Sequence, residues 1–324
     1  MIWRLIDNRG SDDPAVNLAL EEYLLRSARF DDHYMLIYRN RPAVIIGKHQ
    51  NVAEEVNLKY CRENKILVYR RLSGGGAVYH DSGNINFSFI TRRSLNKVNN
   101  YAYFIAPMLR LIAKLGADAQ TDVRSNIIIN GVKVSGNAQF TARTRMLSHG
   151  TLLYKATLPA LRRSLQVNSK VKIESKSSKS VRSPVGNLSE ILPKAISVSD
   201  FISKTVEAYQ AVPFTLGEKD WRDIEDMAER RYRSVEWNYN RSPACKIFCP
   251  LHPESVEVQI ILSLENGYIV TVEFTGIEKQ AGEAAEARRL LTGMHFDYDS
   301  LMDKRTVWLA EQGWPDILFN IEEK

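Results

Sequence analysis

Cysteine is scarce in this sequence: Cys61, Cys245 and Cys249 are the only three in 324 residues. That is too few for a disulfide framework, so a reduced, cytosolic setting is the expectation. Long apolar runs are also missing. The longest, such as Val44-Ile45-Ile46 and Ile127-Ile128-Ile129, fall far short of the roughly 18 residues a membrane helix needs. Residues 1–13 hold no continuous apolar stretch and reach acidic residues early, so no secretory signal is read there. No internal repeat and no long low-complexity tract is present. Charge of one sign does not dominate: 44 Lys and Arg face 38 Asp and Glu, for a net charge of +6 and a pI of about 9.1. That excess suits nucleic acid, an acidic protein partner, a phosphate-bearing ligand or merely a basic surface. Hydrophobic residues at 44% and charged residues at 25% are ordinary for a globular chain, which excludes a wholly disordered or fibrous one. The length fits one large domain or two unequal ones.

Patterning gives a mixed α/β chain. Trp3–Ile6 reads as a strand. Asp13-Pro14 reads as an N-cap with Pro at the first helical position, opening a helix to Ala28 with Val16, Leu20, Tyr23 and Leu24 inward. Residues 34–38, 43–47 and 66–69 read as strands and Val56–Asn64 as a helix. Asn84–Ile90 alternates, with Ile85, Phe87 and Phe89 on one face. Tyr103–Leu115 is helical and ends at Gly116. Asn130-Gly131 places a hairpin over residues 126–135, and His149–Tyr154 is another strand. The Lys/Ser-rich stretch 169–183 has few large apolar residues and reads as a mobile loop. Helix resumes from Pro193 through Gln210. A second unit of alternating strands (256–262, 268–274) and helices (280–291, 299–312) starts near Cys249-Pro250. The expected architecture is α/β of the α+β type: a largely antiparallel catalytic unit, 1–246, and a small accessory domain, 250–324.

Three segments carry candidate chemistry. Arg71-Leu72-Ser73-Gly74-Gly75-Gly76-Ala77 follows a strand. Consecutive glycines let backbone N–H groups converge on an anion, and the flanking arginines suit a phosphate or carboxylate. The spacing is neither a P-loop nor the dinucleotide fingerprint, and a plain hairpin turn would look the same. In Val132-Lys133-Val134-Ser135, alternation puts Lys133 and Ser135 opposite the valines. A turn-pinned ammonium could stabilise a phosphate or an oxyanion; an ordinary surface lysine is the commoner occurrence. His149 could be a base, a donor or a packed core histidine.

Taken together, these segments resemble lipoate–protein ligases of the biotin/lipoyl ligase superfamily. The resemblance rests on Arg70–Asn84, Gly131–Gln139, His149–Leu153 and Ser180–Leu188, and extends over almost the whole chain. It implies a two-step reaction: lipoate and ATP give lipoyl-AMP, then a lysine of an acceptor lipoyl domain takes the acyl group. It implies that Arg71, Ser73, Gly74, Gly75, Gly76, Ala77, Val78, Tyr79 and Asn84 line the lipoyl tail and nucleotide. Lys133 would contact the acyl oxygen and α-phosphate, with Ser135, Gly136, Asn137 and His149 nearby. Residues 169–187, with Arg182, Ser183 and Val185, would close over the adenine as an adenylate-binding loop. ATP with Mg²⁺ is implied as co-substrate, with no tightly bound prosthetic group. Lipoate or octanoate is the implied acid, and E2 subunits of 2-oxoacid dehydrogenases or the glycine-cleavage H protein the acceptors. A cytoplasmic monomer without nucleic-acid or membrane partners is expected. The chain departs from the family in two places. Arg124-Ser125-Asn126 replaces a common Arg-Asn-Asp, which leaves the Mg²⁺ ligands unassigned. Phe140 replaces an arginine that Arg143 or Arg145 would have to supply.

The nearest rival is an octanoyl or lipoyl amidotransferase, which needs a cysteine nucleophile. No cysteine lies near the Lys133–His149 segment. A transferase using preformed lipoyl-AMP is a second rival. The arginine- and glycine-rich biotin signature is absent, and no helix-turn-helix, zinc-ligand or RNA-recognition signature supports a nucleic-acid-binding protein.

Overall fold

A computed structural model of the chain describes residues 2–27, 29, 32–252, 255–276, 281–302 and 318. The first elements are β1 (Arg4–Ile6), α1 (Pro14–Arg26), β2 (Tyr34–Tyr38), β3 (Ala43–Ile46), α2 (Val52–Glu55), α3 (Leu58–Glu63) and β4 (Leu67–Arg70). Then come β5 (Val78–His80), β6 (Asn84–Arg92), α4 (Tyr101–Lys114), β7 (Gln120–Thr121), β8 (Ile127–Ile129), β9 (Val132–Thr141) and β10 (Arg145–Leu153). There follow α5 (Leu158–Ser164), β11 (Lys172–Ser175), α6 (Leu188–Ile191), α7 (Val198–Ala208), β12 (Val212–Phe214) and α8 (Glu218–Met227). The last are β13 (Cys245–His252), β14 (Ser255–Glu265), β15 (Tyr268–Thr275), α9 (Ala281–Leu291) and α10 (Tyr298–Leu301).

The main sheet has the order β12-β1-β2-β6-β10-β9-β8-β7. Its centre and one side are antiparallel, and β12-β1-β2 pair in parallel. A three-stranded sheet, β4-β3-β5, lies beside it, and a four-stranded sheet has the order β11-β13-β14-β15. The expected largely antiparallel α+β architecture is therefore what forms. Two turns explain much of it. Asn130-Gly131 and Asn266-Gly267 both hold positive φ at both positions, the geometry that matches hairpin twist.

Helix α1 starts as expected: Asp13 accepts from Ala15 N at 2.9 Å and Pro14 follows it. Every residue from Pro14 to Leu25 is buried, Asn17, Glu21 and Glu22 included. A helix buried all round runs through a core, and its polar groups must be paired. Tyr232 OH and Arg231 Nη1 hold Glu22 at 2.8 and 2.6 Å. Glu21 faces the candidate site.

Several boundaries differ from expectation. The helix expected over 56–64 forms as α3, starting two residues later because the chain is extended at Val56 and Asn57 caps it, and α2 before it was not expected. The helix expected from Pro193 starts only at Val198, where Ser197 caps α7, and the short α6 before Pro193 was not expected. Strand β6 is buried on both faces, not one. The stretch expected as a mobile loop contains β11, whose partner β13 is seventy residues on; local composition does not show such a partner. Strand β13 runs through the division expected at 246–250. Gln280 and all of the expected last helix beyond Met302 lie outside the described residues. One hydrophobic cluster joins the small sheets: Val44, Ile46, Val68 and Tyr79 pack with Ile247, Ile260, Leu262 and Ile269.

Candidate active site

The glycine-rich loop is organised by the arginines before it. Arg70 is wholly buried, and its guanidinium is spent on Trp237, Asn238, Gly47, Lys48 and Gln50 carbonyls and the Ser242 hydroxyl. Arg71 donates to Ile45, Gly74 and Gly76 carbonyls and to Ser73 Oγ, at 2.6–3.1 Å. Burial pushes both guanidinium pKa values down to about 10. The two arginines thus shape the loop; they are not free anion clamps. Gly75 sits at φ +89°, and its carbonyl oxygen lies 2.1 Å from where a Cβ on Gly47 would stand. Strand β3 and the loop therefore meet only because both positions are glycine.

Lys133 sits on β9 just beyond the hairpin. The register with β8 slips there: Ile128 faces Lys133 and Ile127 faces Ser135. This extra residue is a bulge, a device that re-aims side chains, so simple alternation does not hold across Val134. Lys133 Nζ ends 3.2 Å from where a Cβ on Gly136 would stand. Its backbone is fixed too: Lys133 N donates to Pro184 O at 2.9 Å and Lys133 O accepts from Gly186 N at 3.1 Å. The segment after β11 is thus stitched to the lysine itself.

His149 on β10 is oriented from both sides. Its Nε2 lies 2.7 Å from Ser73 Oγ, and its Nδ1 lies 3.0 Å from Glu21 Oε2. Tyr38 OH also donates to Glu21, at 3.0 Å, and Ser88 Oγ does so at short range. Burial works to raise the Glu21 carboxyl, but His149, Ser88 and Tyr38 outweigh it and hold the group below the usual carboxylate range.

Two cavities adjoin at Lys133. The smaller, about 380 Å³, is walled by Gly75 to Val78, β9 and β10, with the buried residues Leu18, Ile45 and His80 also in its lining. The larger, about 790 Å³, lies between α2–α3, residues 179–185 and the C-terminal unit, which contributes Phe296 and Leu318. Both fall in the size class of small-molecule sites, roughly 300–1,000 Å³. Ala77, Val78, Lys133, Gly136 and Ser183 line both cavities. Arg71, Gly75, Gly76, Asn137 and His149 line only the smaller. Tyr79, Ser135, Arg182 and Val185 line only the larger. Ser73, Gly74 and Asn84 line neither. Ser73 supports His149, Gly74 accepts from Arg71, and Asn84 Nδ2 donates to Asn86 at 2.9 Å.

Sequence reasoning missed Glu21, Tyr38 and Asp122, since no local signal marks any of them. Asp122 lines the smaller cavity; its Oδ1 accepts from the backbone N–H groups of Arg124 and Asn126 at 2.9 Å, and its Oδ2 from Asn126 Nδ2 at 2.7 Å. A carboxylate thus stands four residues before Asn126, held by that residue's own backbone and side-chain amides. Neither Arg143 nor Arg145 reaches either cavity; Arg145 donates to Asp32 O at 2.9 Å. Lys48 Nζ lies 5.4 Å from the Phe140 ring centroid instead.

Two cavities meeting at one lysine, with no cysteine among the described residues of either wall, suit a ligase-type site as opposed to an acyl-cysteine one. The three cysteines are buried in the cluster beneath the small sheets, and burial pushes the thiols of Cys61 and Cys249 up to about 12 and Cys245 up to about 11. The lipoyl protein ligase A/B catalytic domain matches residues 13–210, and the chain belongs to that family. The lipoate-protein ligase LplJ of Bacillus subtilis is 38% identical over 305 residues, covering 92% of each chain. A solved lipoate-protein ligase A bound with ATP superposes with a TM-score of 0.62 at 25% identity, over 74% of this chain and 98% of its own. The bipartite lipoate protein ligase of Thermoplasma acidophilum, described with its E2 lipoyl domain, gives 0.61 at 24% identity, over 74% of this chain and 96% of its own.

Proposed function

We propose that this chain activates lipoate with ATP as lipoyl-AMP and passes the lipoyl group to a lysine of an acceptor lipoyl domain. The placement of Lys133 where two cavities adjoin carries the reading. The acyl chain occupies the smaller cavity and the nucleotide the larger. In the first step a lipoate carboxylate oxygen bonds to the α-phosphorus, and the bond to the β-phosphate oxygen breaks, releasing pyrophosphate. In the second, the acceptor amine bonds to the acyl carbon, the bond to the phosphate oxygen breaks, AMP leaves and the amine loses a proton. Lys133 holds the acyl oxygen and α-phosphate together and stabilises the charge that develops at each centre. Glu21, His149 and Ser73 fix the wall beside the acyl group, and residues 169–187 cover the nucleotide.

Mg²⁺ would be held at Asp122. Magnesium usually takes one or two carboxylates together with substrate phosphates, and Asp122 presents one such group in the wall of the smaller cavity, near Lys133 where the α-phosphate would lie. The ion would neutralise phosphate charge. In this reading residues 1–246 carry the chemistry and 250–324 form an accessory unit that helps close the nucleotide space. The net charge of +6 steers acidic acceptors such as E2 or H-protein lipoyl domains. The chain acts as a cytoplasmic monomer.

The test is lipoate-dependent ATP–pyrophosphate exchange without acceptor. Exchange is expected from the wild type, and Lys133→Ala should lose it by at least about a hundredfold, the scale of losing one oxyanion partner. Exchange at the wild-type rate in that variant sinks the role of Lys133. A folded wild type silent with lipoate and octanoate points to a transferase that takes preformed lipoyl-AMP.

A further inference from the structure

The deeply buried part of the smaller cavity's lining holds a polar group that the protein leaves unmatched. His80 is 4% exposed and lines the cavity wall beside Leu18 and Ile45. Its Nε2 has no hydrogen-bond partner among the described residues. A chain of amides fixes the other ring nitrogen. Asn8 Nδ2 donates to Asn17 Oδ1 at 2.9 Å, and Asn17 Nδ2 donates to Asn40 Oδ1 at 2.8 Å. Asn40 therefore turns its Nδ2, a donor, to His80 Nδ1 at 2.9 Å. Nδ1 must accept, which leaves the single proton of a neutral ring on Nε2. Burial, with Arg71 and His149 nearby, pushes the ring pKa down to about 3, so the ring stays neutral at working pH. The neighbouring Tyr38 hydroxyl is committed to Glu21.

We infer that His80 Nε2–H reads the far end of the acyl chain, favouring a tail that ends in a hydrogen-bond acceptor, such as a dithiolane sulfur, over a plain alkyl tail of equal length. This rests on the reading that the smaller cavity takes the acyl chain. An apolar tail would seal the donor away from water with nothing to accept from it, and sites built around a polar group reject analogues that leave it unpaired. Sulfur is a weak acceptor, so the discrimination is modest, about 5- to 30-fold.

The experiment measures ATP–pyrophosphate exchange with lipoate and with octanoate, for the wild type, His80→Phe and His80→Gln. The wild type should favour lipoate in kcat/KM by about 5- to 30-fold, through KM. His80→Phe should bring the two acids together, and His80→Gln, which keeps a donor, should restore part of the gap. An unchanged ratio in folded His80→Phe overturns the role. So does a wild type that uses both acids equally, with the reading of the cavity intact. Silence with both acids overturns the activation step of the proposed function and not the role of His80, which is then decided by the same ratio measured for transfer from preformed lipoyl-AMP and octanoyl-AMP. Should the variants not fold, the imidazole ¹⁵N shift of His80 in the wild type decides: Nε2 should move on adding lipoate and not octanoate, and equal shifts refute the inference.

Discussion

Lys133 sits under opposed influences. Burial acts most strongly and pushes its pKa down, Asp122 pulls it up, and Arg124 and Arg71 push it down again; the result lies below an ordinary lysine. In the role proposed for Lys133 the charged form does the work, so activity should be lost as pH rises through that lowered value. The alkaline limb of the exchange rate is expected below the usual lysine value of about 10.4. Asp122→Asn removes the carboxylate that raises the group, so the limb should move to still lower pH, whatever happens to the rate. A pH–rate profile with an unmoved limb would show that the two side chains do not interact. His80 gives a second pH effect, on stability. Its folded pKa is depressed to about 3, so between about pH 6.5 and 3 the unfolded chain binds a proton the folded one does not. Stability should fall through that window on acidification, and His80→Gln should flatten the slope in urea titrations at stepped pH. At this scale the sequence was informative where a residue announces itself locally. Lys133 stands beside an Asn-Gly turn and His149 beside Gly150. Glu21 does not: it lies in a helix 128 residues before its partner His149, and no periodicity reports such a contact.

The stretch 169–183 shows how composition misleads about an element. Few apolar residues and many lysines and serines read as a mobile loop, yet β11 pairs with β13 across four residues. The serines and lysines are the fasteners. Glu54 accepts from Ser175 and Ser177 and pairs with Lys179 at 3.1 Å. Glu55 accepts from Ser180 N at 2.9 Å, and Ser180 Oγ accepts from Ala77 N at 2.9 Å. The strap thereby ties α2 to the glycine-rich loop. Glu54→Ala should free its first half. Hydrogen bonds to a charged group are worth about 1.5–3 kcal/mol each, so the KM for ATP should rise by about tenfold or more with the KM for lipoate little changed. Limited proteolysis between Lys170 and Lys179 should quicken in parallel. Unaltered cleavage and KM in the variant would mean the strap is held by β11 alone.

At the scale of the whole molecule, hairpin turns and hydrophobic runs located most strands, and the antiparallel centre followed from them. What they could not reveal is how the C-terminal unit joins the rest. Alternation in β14 and β15 reads as a self-contained module, because period two reports a buried face without saying what buries it. Here Leu262 and Ile260 share one cluster with Val44 and Ile46 of β3. Strand β11, which lies well before the unit in sequence, is its edge strand. A core held in common makes the two parts unfold together, and it transmits strain between the larger cavity and the unit that helps enclose it. Leu262 is fully buried, so Leu262→Ala should destabilise the chain by about 2–5 kcal/mol. If the core is shared, amide exchange should quicken in β3 and β4 as well as in β13 and β14, with a single denaturation transition. Fast exchange confined to β13–β15, with β3 and β4 as protected as in the wild type, would mean that the C-terminal unit folds on its own account and that the common cluster contributes little to either part.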